Sequence, residues 1–184
     1  MTDIIQIAKA ASFAAEAHTG QFRKYTGEPY IVHPLAVGKM IADFGGTPAM
    51  IMASYLHDTI EDVEHITNAV ITLNFGDEVE EFVDGMTKRS YPKAKNRAER
   101  KEQERIRLSQ TPGEVQSIKY ADIIDNTKTI VQYDHKFGAV YLEEAIALLE
   151  VMTQGIPALR QLAIAQIEAE KFKLGVLTSG AAVV

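Results

Sequence analysis

Cysteine is absent from the 184 residues, which rules out disulfides and the thiolate ligands of structural zinc sites. No run approaches the roughly 18 consecutive apolar residues of a membrane span. The opening "MTDIIQIAKA" lacks the basic start and long apolar stretch of a secretory signal. These absences lead us to expect a soluble, cytoplasmic protein with no membrane partner. Apolar–polar alternation long enough for a sheet is missing, as is any internal repeat. Excess positive charge is missing too. The net charge is −6 and the pI 5.4, the wrong balance for a protein whose surface as a whole binds nucleic acid, so no nucleic-acid partner is expected.

What the sequence does have is helical periodicity. Hydrophobic residues make up 46%, enough for a core. "DIIQIAKAASFAAEAH" carries apolar residues at helical spacing, with Asp3 placed as its cap. A loop punctuated by Gly20, Gly27, Pro29 and Pro34 leads into "HPLAVGKMIADFGG", which ends at Gly45-Gly46. "TPAMIMASYLHDTIED" opens with Thr47 as cap and Pro48 at the first helical position. "TNAVITLNFG" and "DEVEEFVDGMTK" read as two short helices separated by Gly76. Residues 88–98 read as a flexible loop and "ERKEQERIRLSQ" as a charged helix. "TPGEVQSIKYADIIDNTKTIVQY" reads as a long helix after a second Thr-Pro start. "VYLEEAIALLEVMTQ" and "IPALRQLAIAQIEAEKFK" complete the series. The expected class is all-α, a single domain over residues 1–175 with a flexible tail over 176–184.

Two features exceed a plain helical globule. Between Lys88 and Arg107 stand nine Lys or Arg against three Glu, a balance of +6 that leaves −12 for the rest. Such a segment is either a solvated helix of mixed charge or a patch for an anionic ligand, phosphate first. The second feature is "SYLHDTIEDV", which puts His57, Asp58, Glu61 and Asp62 within six residues directly after apolar ones. Carboxylates this close raise each other's proton affinity, so the group is either fully solvated or accompanied by a cation.

A divalent ion needs ligands from elsewhere, and two residues stand out. His33 lies in "YIVHP" between apolar residues and a helix-starting proline. Asp122 lies in "IKYADIIDN", where a buried carboxylate must be paired or metal-bound. Plainer readings exist for both: a turn hydrogen bond for His33, an ion pair with Lys119 for Asp122. Together, His33, His57, Asp58 and Asp122 form a two-imidazole, two-carboxylate set suited to manganese, iron or zinc.

These residues, in this order, resemble the HD-domain metal phosphohydrolases. More closely they resemble the hydrolase domain of the RelA/SpoT family in its small stand-alone form, typified by the metazoan SpoT homologue. The matching stretches are "AAEAHTGQFRKYTGEPYIVHP", "ASYLHDTIEDV", "FGDEVEEFVDGMTK" and "IKYADIIDNTKT", covering roughly residues 10 to 130. The resemblance implies a single HD-domain helical bundle and a manganese-dependent enzyme, other first-row divalent ions remaining open. Its reaction would remove the 3′-pyrophosphate of a guanosine alarmone, converting ppGpp or pppGpp to GDP or GTP. It implies His33, His57, Asp58 and Asp122 as metal ligands and Glu61 and Asp62 as the catalytic pair. Arg23, Lys24 and Asn126 are implied substrate contacts. Within the basic segment Arg100 and Lys101 are the expected phosphate donors. Lys119 lies near the helix face of Asp122 and Asn126 and joins them as a candidate.

The sequence departs from the family in two places. Ile123 stands where a basic residue usually follows the aspartate of the "AD" motif, and no arginine in "HKFGAVYLEEA" matches the family's phosphate-binding arginine, although Tyr141 is a candidate for the tyrosine beside it. These gaps bear on substrate identity. The expected partner is a small nucleotide, and the oligomeric state stays open. A nicotinamide dinucleotide phosphate, a deoxynucleotide or a nucleoside monophosphate remains an alternative substrate, and a non-catalytic alarmone-binding module an alternative role. The synthetase half of the long family members is expected to be absent, since the chain ends first.

Overall fold

Apolar residues at three- and four-residue spacing draw the chain into ten α-helices among residues 2–180, the part that the structure, a computed structural model, describes; side chains are described from 3 to 175. The helices are α1 (Thr2–Ala17), α2 (Val32–Asp43), α3 (Pro48–Leu56), α4 (Thr59–Asp62), α5 (Asn68–Phe75), α6 (Asp77–Met86), α7 (Arg97–Ser109), α8 (Gly113–Tyr133), α9 (His135–Val151) and α10 (Pro157–Gly180). The described residues contain no strand, only an isolated antiparallel bridge from Phe22 to Pro29 that pinches the loop before α2. No helix among them is long and apolar enough to cross a membrane. The expected tail begins inside α10, and its last four residues, 181–184, lie outside the described residues.

The long α8 runs through the middle and packs against α2, α3, α6, α9 and α10. Val115, Ile118, Tyr120, Ala121, Ile123 and Ile124 are buried along it, so this helix is apolar on several sides. Its neighbours are tied in by polar groups. The Tyr120 hydroxyl donates to the Met152 carbonyl at 2.6 Å. The Arg160 guanidinium caps the end of α9 at the carbonyls of Leu149 and Met152. Charged α7, by contrast, buries only Leu108, and its Arg105–Glu102 and Arg107–Glu104 pairs stand one turn apart.

Four boundaries differ from the sequence reading. Helix α1 already includes Thr2, so Asp3 lies in its first turn and does not cap it. The helix expected across residues 47–62 breaks after Leu56. The His57 ring and the Thr59 hydroxyl take the carbonyls of Ser54 and Leu56, at 2.8 and 2.7 Å, and Asp58 relaxes to φ −99°, ψ −6°. Thr47 does cap α3, accepting from Met50 N–H at 3.2 Å, but Thr111 does not cap α8; its hydroxyl donates backwards to Leu108 O. Finally, α9 starts at His135, five residues earlier than expected, with Asp134 capping Phe137 N–H at 3.0 Å. Gly138 lies ahead of the helix start expected at Val140. In the fold it is a close-packing site, because a Cβ there would stand 3.1 Å from the Cα of Val131 on α8.

Candidate metal centre

Three distant segments deliver the centre. The loop before α2 closes on itself through Arg23 N–H to Glu28 O at 2.8 Å and Tyr30 N–H to Gln21 O at 2.9 Å, which carries His33 inward on the first turn of α2. His57 and Asp58 stand at the break between α3 and α4, and Asp122 lies midway along α8. One ligand atom each from His33, His57 and Asp58 lie within 4.8 Å of one another. Asp58 Oδ2 is 3.1 Å from His57 Nε2 and 3.7 Å from His33 Nε2, while Asp122 Oδ1 is 3.2 Å and 3.9 Å from the same nitrogens of His33 and His57. Bonds of about 2.0–2.2 Å to a first-row ion put neighbouring donors roughly 3–3.5 Å apart, so this spacing needs little adjustment.

Each imidazole is aimed by its other nitrogen. His57 Nδ1 meets the Ser54 carbonyl at 2.8 Å and His33 Nδ1 meets the Asp125 carboxylate at 2.7 Å. Both partners only accept, so each Nδ1 carries the proton and each Nε2 of the neutral ring offers a bare lone pair inward. The His57 Nε2 is buried and has no hydrogen-bond partner. The Nε2 of His18, outside these four residues, is likewise buried without a partner, so what marks the site is the approach of His57 Nε2 to Asp58 at 3.1 Å and to Asp122 at 3.9 Å. The carboxylates are held as firmly. The Tyr30 hydroxyl donates to Asp58 Oδ2 at 2.6 Å, Lys119 Nζ donates to Asp122 Oδ2 at 2.7 Å, and the Asn126 amide donates to Asp122 Oδ1 at 2.6 Å.

Charge makes the same case. Asp58, Asp122 and Asp125 face two paired cations, Lys119 and Arg23, so with neutral histidines the cluster lacks one positive charge. Burial opposes a protonated His33, yet Asp122 and Asp125, helped by Asp58, outweigh it and raise the pKa to about 9. His57 is raised as well, burial being overcome first by Asp58. Burial also works against ionised Asp58 and Asp122, but the His57 charge beside the first, and Lys119 and His33 beside the second, hold both below the usual carboxylate range. These shifts mark a site that favours added positive charge, which a divalent ion would supply. The residues present fit such an ion.

A family model described as the HD domain matches residues 10–130, well over half the chain and the span that holds all four of these residues. The chain belongs to the HD-domain family. This HD domain is 38% identical over 125 residues to a guanosine-3′,5′-bis(diphosphate) 3′-pyrophosphohydrolase of Aquifex aeolicus, a match covering 68% of the chain and 18% of that protein. It is 39% identical over 120 residues to the protein of that name in Haemophilus influenzae, covering 64% and 17%. A GTP pyrophosphokinase of Streptomyces coelicolor is 39% identical over 127 residues, covering 68% and 15%. The chain spans less than a fifth of the length of these relatives. Among solved structures, the HD domain superposes with a TM-score of 0.78 on a metazoan orthologue of SpoT that hydrolyses ppGpp, over 90% of this chain and 95% of that one, at 22% identity. A Listeria monocytogenes protein superposes with a TM-score of 0.63 at 25% identity, over 79% of this chain and 99% of that one.

His33, His57, Asp58 and Asp122 open onto a cavity of about 230 Å³ whose wall includes Glu61, Lys88, Lys101, Lys119, Asn126 and Tyr141. A second chamber of about 510 Å³ adjoins it, sharing the three lysines and adding Arg100. Among the residues expected at the site, Glu61, Lys101, Lys119 and Asn126 therefore face the centre, and Arg100 the neighbouring chamber. Asp62 does not line the cavity; its carboxyl is pushed up by burial and by Asp58. Arg23 and Lys24 line neither space. The Arg23 guanidinium is consumed by three acceptors on α8, at 3.3 Å from Asn126, 3.2 Å from Asp125 and 3.2 Å from Thr129. The Lys24 ammonium lies over the Tyr25 ring, 4.8 Å from its centroid.

Tyr30, Asp125, Lys88 and Glu144 were not singled out in the sequence reading. Tyr30 sits inside "GEPYIVHP", and Asp125 follows Asp122 by three residues, which on a helix brings it to the same side. Lys88 ends the matched stretch "FGDEVEEFVDGMTK". Glu144 carries no local signal; only the fold sets it beside Arg97 and Lys101, at 2.6 and 3.0 Å.

Proposed function

We propose that this HD domain hydrolyses the 3′-pyrophosphate of guanosine alarmones, releasing GDP or GTP and pyrophosphate, with manganese as its metal. The observation that carries the reading is a single cavity in which His33, His57, Asp58 and Asp122 face the Glu61 carboxylate and three ammonium groups, those of Lys88, Lys101 and Lys119, with Glu144 on the same wall paired to Lys101. The names of two of its relatives and the ppGpp hydrolysis described for the metazoan orthologue support the choice of substrate.

His33, His57, Asp58 and Asp122 would hold the ion, which when bound would supply Lewis acidity for water activation and phosphate charge. Glu61 accepts the proton of the attacking water, and Asp62, at the solvent edge with its raised proton affinity, passes it on. The water oxygen bonds to the phosphorus carried by the ribose 3′ oxygen. The bond between those two atoms breaks, and the 3′ oxygen leaves with the electron pair and takes a proton. Lys101 and Lys119 balance the charge of the phosphates and Arg100 receives the part of the nucleotide that extends into the second chamber. Asn126 steadies Asp122 and contacts the nucleotide. Arg23, bound to Asp125 and Asn126, supports those two residues rather than the phosphates.

The test is hydrolysis of guanosine tetraphosphate by manganese-loaded protein, with products separated by chromatography. Equimolar GDP and pyrophosphate are expected, together with loss of both turnover and bound metal in Asp58→Ala. Turnover confined to a dinucleotide phosphate, a deoxynucleotide or a monophosphate would overturn the substrate assignment, and alarmone binding without turnover would make the domain a sensor.

A further inference from the structure

We infer that Lys88 is a transferable cation of the active site: its ammonium holds Glu61 in the free protein and passes to the substrate's 3′-diphosphate, while its main chain keeps Glu61 in place. The inference rests on the hydrolysis proposed above. Glu61 is held twice by this one residue, Oε1 by the Lys88 main-chain N–H at 2.7 Å and Oε2 by the Lys88 ammonium at 2.8 Å.

The two contacts differ in how easily they move. The N–H belongs to backbone fixed at the end of α6, where buried Thr87 returns its own N–H and hydroxyl to Val83 O at 3.0 and 2.9 Å. The ammonium rides on a flexible four-carbon stem whose side chain is 69% exposed. It also stands at the junction of the two spaces, lining both the metal-centre cavity and the adjoining chamber.

The other two lysines of the cavity are committed elsewhere. Lys119 is bound to Asp122 at 2.7 Å, and Lys101 to Glu144 at 3.0 Å, where Arg97 also binds. Lys88 alone is tied to the group read as the general base. An entering diphosphate, carrying more charge than one carboxylate, competes for that ammonium. Once it is taken, Glu61 Oε2 has a free lone pair for the attacking water, and the main-chain N–H still fixes the carboxylate's direction. Substrate binding and exposure of the base thus become one event.

The probe is inorganic pyrophosphate titrated calorimetrically into manganese-loaded protein. Lys88→Met should weaken its binding roughly tenfold to a hundredfold, the loss expected of one hydrogen bond to a charged group. Lys88→Arg should keep most of the affinity, and bound manganese should be unchanged in both. The weakening should persist when Glu61 is replaced by Gln. An unaltered affinity in Lys88→Met, or an effect that vanishes in the Glu61→Gln background, would overturn the transfer and leave Lys88 acting only through Glu61. Because pyrophosphate binding needs no turnover, a failure to hydrolyse guanosine tetraphosphate registers separately, against the substrate and not against Lys88.

Discussion

His33 and Asp125 stand 92 positions apart along the chain and 2.7 Å apart in space, Nδ1 to Oδ2. The same oxygen takes the Arg23 guanidinium at 3.2 Å, so the carboxylate that aims His33 is itself fixed by the loop in front of α2. The orientation of the His33 ring is therefore set by residues outside the proposed ligand set.

Asp125→Ala should weaken manganese binding by roughly 10- to 100-fold, the usual consequence of removing the partner of a ligating histidine. Titration of manganese into the metal-free variant measures this directly. An affinity equal to that of the parent protein would mean that packing in α2, and not Asp125, orients the ring.

Glu61→Gln should retain the metal and slow turnover of the alarmone by at least about a hundredfold, since the amide cannot take a proton from water. Metal content and turnover are read on the same sample. Normal turnover in this variant would remove Glu61 from the proton path.

The metal-free protein should lose stability on the alkaline side of neutrality. His33 is buried and its pKa rises from 6.5 to about 9 in the fold, so its contribution is fully present below 6.5 and is lost as pH climbs through 9. A shift of this size corresponds to about 3 kcal/mol. Asp58 and Asp122 are depressed from 3.8, so their contribution is present above that value and is lost as pH falls. Unfolding in chelator should give a plateau between pH 3.8 and 6.5 with a decline above it. Saturating manganese should flatten that decline, and a midpoint that rises from neutrality to pH 9 without metal would contradict the account.

Gly138→Val should part α8 from α9, because the added Cβ would lie 3.1 Å from a backbone atom, Val131 Cα, that cannot rotate away. A loss of about 1–3 kcal/mol is expected in denaturant unfolding. Tyr141 and Glu144, carried on the same helix as cavity wall, should move with it. An unchanged unfolding midpoint would show that the two helices have slack.

Features that depend on neighbours within one turn were open to reading from sequence. Thr47-Pro48 marks its own helix start because the cap contact spans three residues, and Lys119, Asp122 and Asn126 share a face because helical spacing puts them there. Features that depend on a distant partner were not. The start of α9 was hidden because Gly138 is explained only by Val131, and Thr111 looked like Thr47 until its hydroxyl turned back to Leu108. Arg23 beside Lys24 looked like a free basic pair; three acceptors some hundred residues away consume its guanidinium.

By itself, then, the sequence determined a helical class and the kinds of atom offered to a ligand: imidazole nitrogen and carboxylate oxygen, with no thiolate. Only the tertiary structure decided which nitrogen of each imidazole faces inward, which cations remain for a phosphate and which residue restrains Glu61. The reason is physical. Helix-forming preference is settled by residues close along the chain, whereas hydrogen-bond direction and charge balance are settled by atoms that meet only after α2, α3, α6 and α8 have packed together.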